Sequence, residues 1–112
     1  MPWLLRDGDV LATLEVATSR RRRGRGLLGR DGIEGALLLD PARSIHTVGM
    51  RFAIDVAYCA RRADGALVVL EARSMRSHRV GRPRLRARCV IEAEEGAFAR
   101  WALTPGNVLE VR

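Results

Sequence analysis

Residues Leu85–Glu94 read LRARCVIEAE, and in this stretch Leu85, Ala87, Cys89, Ile91 and Ala93 alternate with Arg86, Arg88, Val90, Glu92 and Glu94. Successive side chains of an extended chain point to opposite faces, so a period of two predicts a β-strand with one apolar face. Cys89 is expected to point inward and the arginines outward. Glu94-Glu95-Gly96 ends the strand, Ala97–Leu103 suits two helical turns, and Pro105-Gly106 turns the chain into a last strand, Val108–Val111.

Toward the N-terminus the same signals recur. Ala66–Ala72 is apolar on both faces until Glu71, which predicts a central strand, and Asp64-Gly65 joins it in a hairpin to an alternating run, Phe52–Tyr58. Gly35–Leu39 is a short apolar run stopped by Asp40-Pro41. Trp3–Arg6, the turn Asp7-Gly8 and Val10–Ala17 form another strand pair, with Val10, Ala12, Leu14 and Val16 on one face. Between them, Arg20–Gly29 reads as a short helix capped by Thr18 or Ser19 and weakened by Gly24 and Gly26. Seven or eight short strands with regular turns predict a mainly β, small single-domain protein. The architecture expected is barrel-like or a curled antiparallel or mixed sheet, with one or two short helices.

Composition narrows the function classes. A chain of 112 residues with 47% hydrophobic and 29% charged residues is an ordinary folded domain. No apolar run approaches the roughly twenty residues of a membrane-spanning helix, so no transmembrane segment is expected. The opening MPWLLRDGDVLATLEVA lacks the pattern of a secretory signal, which makes the cytoplasm the expected compartment. Cys59 and Cys89 are the only cysteines and are not in CxxC spacing, so two buried free thiols are expected. The net charge of +7 attracts phosphates. All twenty basic residues are arginine and none is lysine, a pattern that looks like a compositional bias of the genome.

Chemistry-bearing residues gather in Arg43–Tyr58, RSIHTVGMRFAIDVAY. If this stretch is extended, His46, Arg51 and Asp55 lie along one strand and can converge on a polar ligand, with Arg30, Arg43 and Met50 beside them. Arginine suits such a site because its planar fork grips carboxylate or phosphate with two hydrogen bonds. The plainer reading is a hydrogen-bonded His46 in the barrel wall and an Arg51–Asp55 ion pair. A hydrolase centred on His46 lacks an evident nucleophile. A metal site from His46, His78, Cys59 and Cys89 has none of the short ligand spacings of structural zinc sites, and no Walker loop or dinucleotide fingerprint is present, so no cofactor is expected. Arginines at 20, 21, 22, 23 and 25, with a second stretch from Arg73 to Arg88, form the alternative nucleic-acid candidate. No aromatic residues interleave with them to stack bases.

The combination of Gly26-Leu27 with Arg30, then His46, Met50, Ile54 and Asp55, the turn at Asp64-Gly65 and the corner Glu94 to Gly96 resembles the uncharacterised prokaryotic family known as domain of unknown function 192. The resemblance covers roughly Val10 to Val111 and implies the same barrel-like fold. It implies no catalytic residue. Many relatives look exported, which bears on the compartment, and this chain carries Asn107 where relatives commonly have aspartate. The expectation is a non-enzymatic module for a small polar or anionic ligand or a protein partner. A nucleic-acid-binding accessory protein is the alternative, and the hydrolase stands third.

Overall fold

In the computed structural model, which describes residues 2–112, seven strands close into a barrel. They are β1 (Trp3–Arg6), β2 (Asp9–Ala17), β3 (Ala36–Leu39), β4 (Ile54–Arg61), β5 (Leu67–Met75), β6 (Cys89–Glu94) and β7 (Val108–Val111). Their spatial order is β1-β2-β3-β6-β4-β5-β7, and β7 returns to pair with β1, so closure leaves none of the seven as an edge. Only β2 and β3 are parallel. A parallel neighbour requires a crossover rather than a hairpin, and here it is α1 (Arg20–Arg25) followed by residues 26–35.

The alternation along each strand sorts the apolar residues into two cores. The first fills the lumen and takes side chains from every strand, including Leu4, Leu14, Leu38, Ala57, Val69, Ile91 and Leu109. A second helix, α2 (Ala97–Arg100), follows β6, and Phe98 and Leu103 complete this core. The second core lies on the outer face of β3, β6 and β4, where Leu37, Leu39, Ile54, Val56 and Val90 are covered by Leu27, Ile33, Ile45 and Met50 from the connecting segments. Full burial of each such side chain is worth about 1.5–3 kcal/mol. β4 is consequently buried on both faces from Ile54 to Cys59, the position the sequence pattern had pointed to for β5.

Two bulges reset the alternation. β1 and β2 slip between Leu4 and Leu5, so that Leu4 faces Ala12 and Leu5 faces Val10. The extra residue, Leu11, packs against the lumen core, and Val10 is exposed instead of sharing its face with Leu14. β4 and β5 slip between Tyr58 and Cys59, which leaves Leu70 as the extra residue, packed against the outer core.

Three further expectations are corrected. α1 stops at Arg25, because Gly26 adopts φ +49° and its N–H donates to the Arg22 carbonyl; Ser19 caps the start by accepting from the Arg22 N–H. β6 begins at Cys89 and not at Leu85, since Arg84–Ala87 is a turn closed by the Ala87 N–H on the Arg84 carbonyl, and Leu85 is exposed. The stretch from His46 to Phe52 is not a strand: the Met50 N–H donates to the Thr47 carbonyl, Gly49 adopts φ +81°, and β4 starts only at Ile54.

Candidate functional site

The turns that break the 43–53 segment disperse the constellation expected there. Asp55 belongs to β4 with Ala57 and Cys59 on the lumen side. It is 5% exposed, and its carboxylate accepts from the Ser74 hydroxyl at 2.9 Å and from the Gly96 and Phe98 N–H groups at 3.0 Å each. Three donors on one carboxylate make it the anchor of α2, satisfying orphan N–H groups at the helix start. Arg51 is exposed and pairs with Asp31 at 2.7 Å, not with Asp55. Arg30 holds Glu15 of β2 in a two-pronged pair at 2.7 and 3.3 Å, which ties the GLLGR turn to β2 and holds the Glu15 carboxyl below its usual range. His46, Arg43 and Met50 do come together, on the wall of a cavity of about 390 Å³.

That cavity lies between α1 with its following turn, residues 41–46 and β6. Arg23 closes one side by donating to the Thr18 and Pro41 carbonyls, so α1 is clamped over the 41–46 segment. Thr47, fully buried, pins the same segment from behind: its hydroxyl donates to the Arg76 carbonyl at 2.5 Å and accepts from the Arg79 N–H at 2.9 Å. His46 adds a backbone bridge to Val80. The 41–46 wall is thus fixed by tertiary hydrogen bonds and not by regular secondary structure.

Glu92 of β6, which sequence reasoning treated only as an outward-facing strand residue, lines this cavity. It is 2% exposed, and its Oε1 atom accepts no hydrogen bond. Only one other buried side-chain polar atom among the described residues is in that condition, the Tyr58 hydroxyl. Burial pushes the Glu92 carboxyl up to about 7, with the positive charge of Arg30 pulling the other way. Gly26 makes the close approach possible, because a Cβ there would lie 3.2 Å from Oε1. The signal that could have found Glu92 was its company: an acidic residue on a strand whose neighbours Val90, Ile91 and Ala93 are apolar on both faces.

Cations surround the opening. Arg20, Arg25 and Arg43 line it together with Arg23, and the first three have no salt bridge among the described residues. Of the arginines singled out as a nucleic-acid face, 20, 23 and 25 therefore belong to this cavity, while Arg21 and Arg22 are on the exposed surface of α1. Ser44 and His46 share the wall, but no hydrogen bond joins them. Cys59 and Cys89 are paired across β4 and β6 in the lumen, away from His46 and His78 on the outer segments, and the described residues contain no cluster able to hold a metal ion. None of their helices is long and apolar enough to cross a membrane.

The chain matches the family DUF192, described as Uncharacterized ACR, over residues 4–111. No curated protein matches it. Two solved structures share the fold. A protein of unknown function from Novosphingobium aromaticivorans superposes with a TM-score of 0.79 at 16% identity, covering 97% of this chain and 83% of that one. A protein from Sinorhizobium meliloti, provisionally described as a transcription regulator, gives 0.78 at 19% identity, covering 98% and 91%. Such likenesses carry the barrel and no activity.

Proposed function

We propose, from the premise that this chain belongs to the DUF192 family, that it is a non-enzymatic binding module which takes a small polar ligand carrying an anionic group into the cavity beside α1. The observation that carries the reading is Glu92, a buried carboxyl with an unpartnered oxygen on the wall of that cavity. A buried acceptor left without a donor costs about 1–3 kcal/mol, a cost a ligand hydroxyl or amide removes on binding. Arg20, Arg25 and Arg43 then supply forks for the ligand's anionic end. A concave site of this size with a few convergent polar groups suits a small molecule better than a protein surface. Ser44, the hydroxyl that shares the wall with His46, is not hydrogen-bonded to it, so the hydrolase reading has no nucleophile of the chain's own beside the histidine.

The reading is tested with isotope-labelled protein and glycerol phosphate, a probe that combines hydroxyls with an anion. The expected result is a set of amide shifts at 24–28, 43–46 and 92 that disappears in Glu92→Ala and in Arg43→Ala. Shifts spread evenly over the arginine-rich surface, or the same shifts in Glu92→Ala, would reject it.

A further inference from the structure

The second unpartnered buried polar atom marks a different place. Tyr58 of β4 is fully buried, yet its hydroxyl has no hydrogen-bond partner. It lines a separate cavity of about 310 Å³, formed by the end of β5 and residues 76–84, whose other walls include Arg73, Arg76, Arg79, Arg82 and Arg84. No acidic residue lines this cavity. Glu71, outside it, takes up two of the five cations: Arg84 in a two-pronged pair at 2.7 and 3.0 Å, and Arg73 more loosely at 3.9 Å. Arg76, Arg79 and Arg82 have no carboxylate partner among the described residues.

The packing around Tyr58 is specific. The Arg84 guanidinium lies 4.3 Å over the ring centroid, a cation–π contact held in place by Glu71. At Gly81 the backbone passes so close that a Cβ would lie 2.9 Å from the Tyr58 hydroxyl oxygen and 3.0 Å from the Ile45 carbonyl. Ring and hydroxyl are thereby confined, and burial raises the tyrosine's pKa, so the hydroxyl keeps its proton and acts as a donor. A hydroxyl that only filled core space would be replaceable by the hydrogen of phenylalanine, without the desolvation cost that an unpaired polar atom carries.

We propose that this cavity is an oxyanion site for the phosphate group of a small solute, with the Tyr58 hydroxyl as a neutral donor and Arg76, Arg79 and Arg82 as charged ones. Phosphate matches the site because its several oxygens accept from forks and a hydroxyl together, and because its second charge offsets an excess of unpaired cations. The site is independent of the Glu92 cavity and stands or falls separately from the function proposed above.

Inorganic phosphate is the probe, titrated against sodium chloride at matched ionic strength, with binding read by calorimetry and by thermal unfolding. Wild type is expected to bind phosphate and to unfold at a higher temperature with it. Tyr58→Phe, which keeps the ring under Arg84, is expected to fold and to bind about tenfold more weakly. Arg79→Ala should lose a similar factor or more, whereas Arg86→Ala, an exposed arginine that does not line the cavity, should bind as wild type. Chloride matching phosphate, or Tyr58→Phe binding as wild type, would overturn the proposal. A single-stranded oligonucleotide forms the third arm. If it binds and is weakened equally by Arg79→Ala and Arg86→Ala, the surface tracks phosphodiesters in general and the site falls; weakening by Arg79→Ala alone, with displacement by phosphate, supports it.

Discussion

Asp55 and Glu92 are both buried carboxylates on adjacent strands, and Asp55 faces Ala93 in the register that places Val56 against Glu92. They could hardly be treated more differently. Asp55, on the lumen side, accepts three hydrogen bonds and fastens α2 to the barrel. Glu92, on the outer side, has an oxygen with no partner and borders a cavity. The contrast extends to the two cores: the lumen is packed by side chains from all seven strands, while the outer layer, roofed by connecting segments, contains both unpartnered polar atoms. The difference teaches that hydrogen-bond satisfaction in this barrel differs by face. The lumen carries the hydrogen-bonded, close-packed part, and the outer layer leaves two buried polar atoms without a partner in the chain, the atoms on which both proposed sites rest.

The comparison breaks first at Asp55. Asp55→Ala leaves the Gly96 and Phe98 N–H groups without their acceptor, while the exposed Ser74 hydroxyl turns to water, and is expected to cost about 2–4 kcal/mol in urea unfolding, because each abandoned N–H bears its own desolvation penalty. A loss below about 1 kcal/mol would show that α2 is held by Phe98 and Leu103 alone.

Glu92 should respond to pH with the opposite character. Its folded carboxyl is raised from 4.5 to about 7, so the folded state binds more protons than the unfolded state between those values. Its contribution is therefore fully present below about pH 4.5 and is lost as pH rises through 7. Glu92→Gln is expected to match wild type near pH 4 and to exceed it above pH 7 by up to about 3 kcal/mol, measured as unfolding free energy against pH. A variant less stable than wild type at every pH would place Glu92 with Asp55 as a structural carboxylate.

Gly26 tests the roof over that carboxyl. Gly26→Ala puts a Cβ at 3.2 Å from the Glu92 oxygen on a backbone of φ +49°, and a loss of about 1–2 kcal/mol is expected, with displaced amide signals in 24–28. The smallest effect is expected at the surface. Arg51 and Asp31 are 60% and 87% exposed in their side chains, so Arg51→Ala should change stability by less than about 0.5 kcal/mol and leave binding at both cavities intact.

The strands and turns were mostly legible before the structure. β7 is where the pattern put it, and the Asp64-Gly65 hairpin closes with the Arg62 N–H on the Ala66 carbonyl as expected. Misplaced boundaries trace to local geometry that hydrophobic patterning does not encode. The turn at Gly49 ended the imagined long strand, and the bulge at Leu11 exchanged the faces of its neighbours. The site was legible only in part. His46, Met50 and Arg43 share a wall, as their proximity in sequence allowed, whereas Arg51 and Asp55 are bound elsewhere by partners about twenty to forty residues away.

By itself the sequence determined the class of fold, because period-two alternation and Gly- or Pro-marked turns act through the local backbone and need no distant partner. What Glu92, Tyr58 and Asp55 each do was decided only in three dimensions. Whether a strand's outer face meets water or a second apolar layer depends on segments such as 26–35 and 42–50 folding over it, and on hydrogen bonds like those of Thr47 that hold the second of them there. A buried polar group is defined by the donors that reach it, and those donors come from parts of the chain that meet only when the barrel closes.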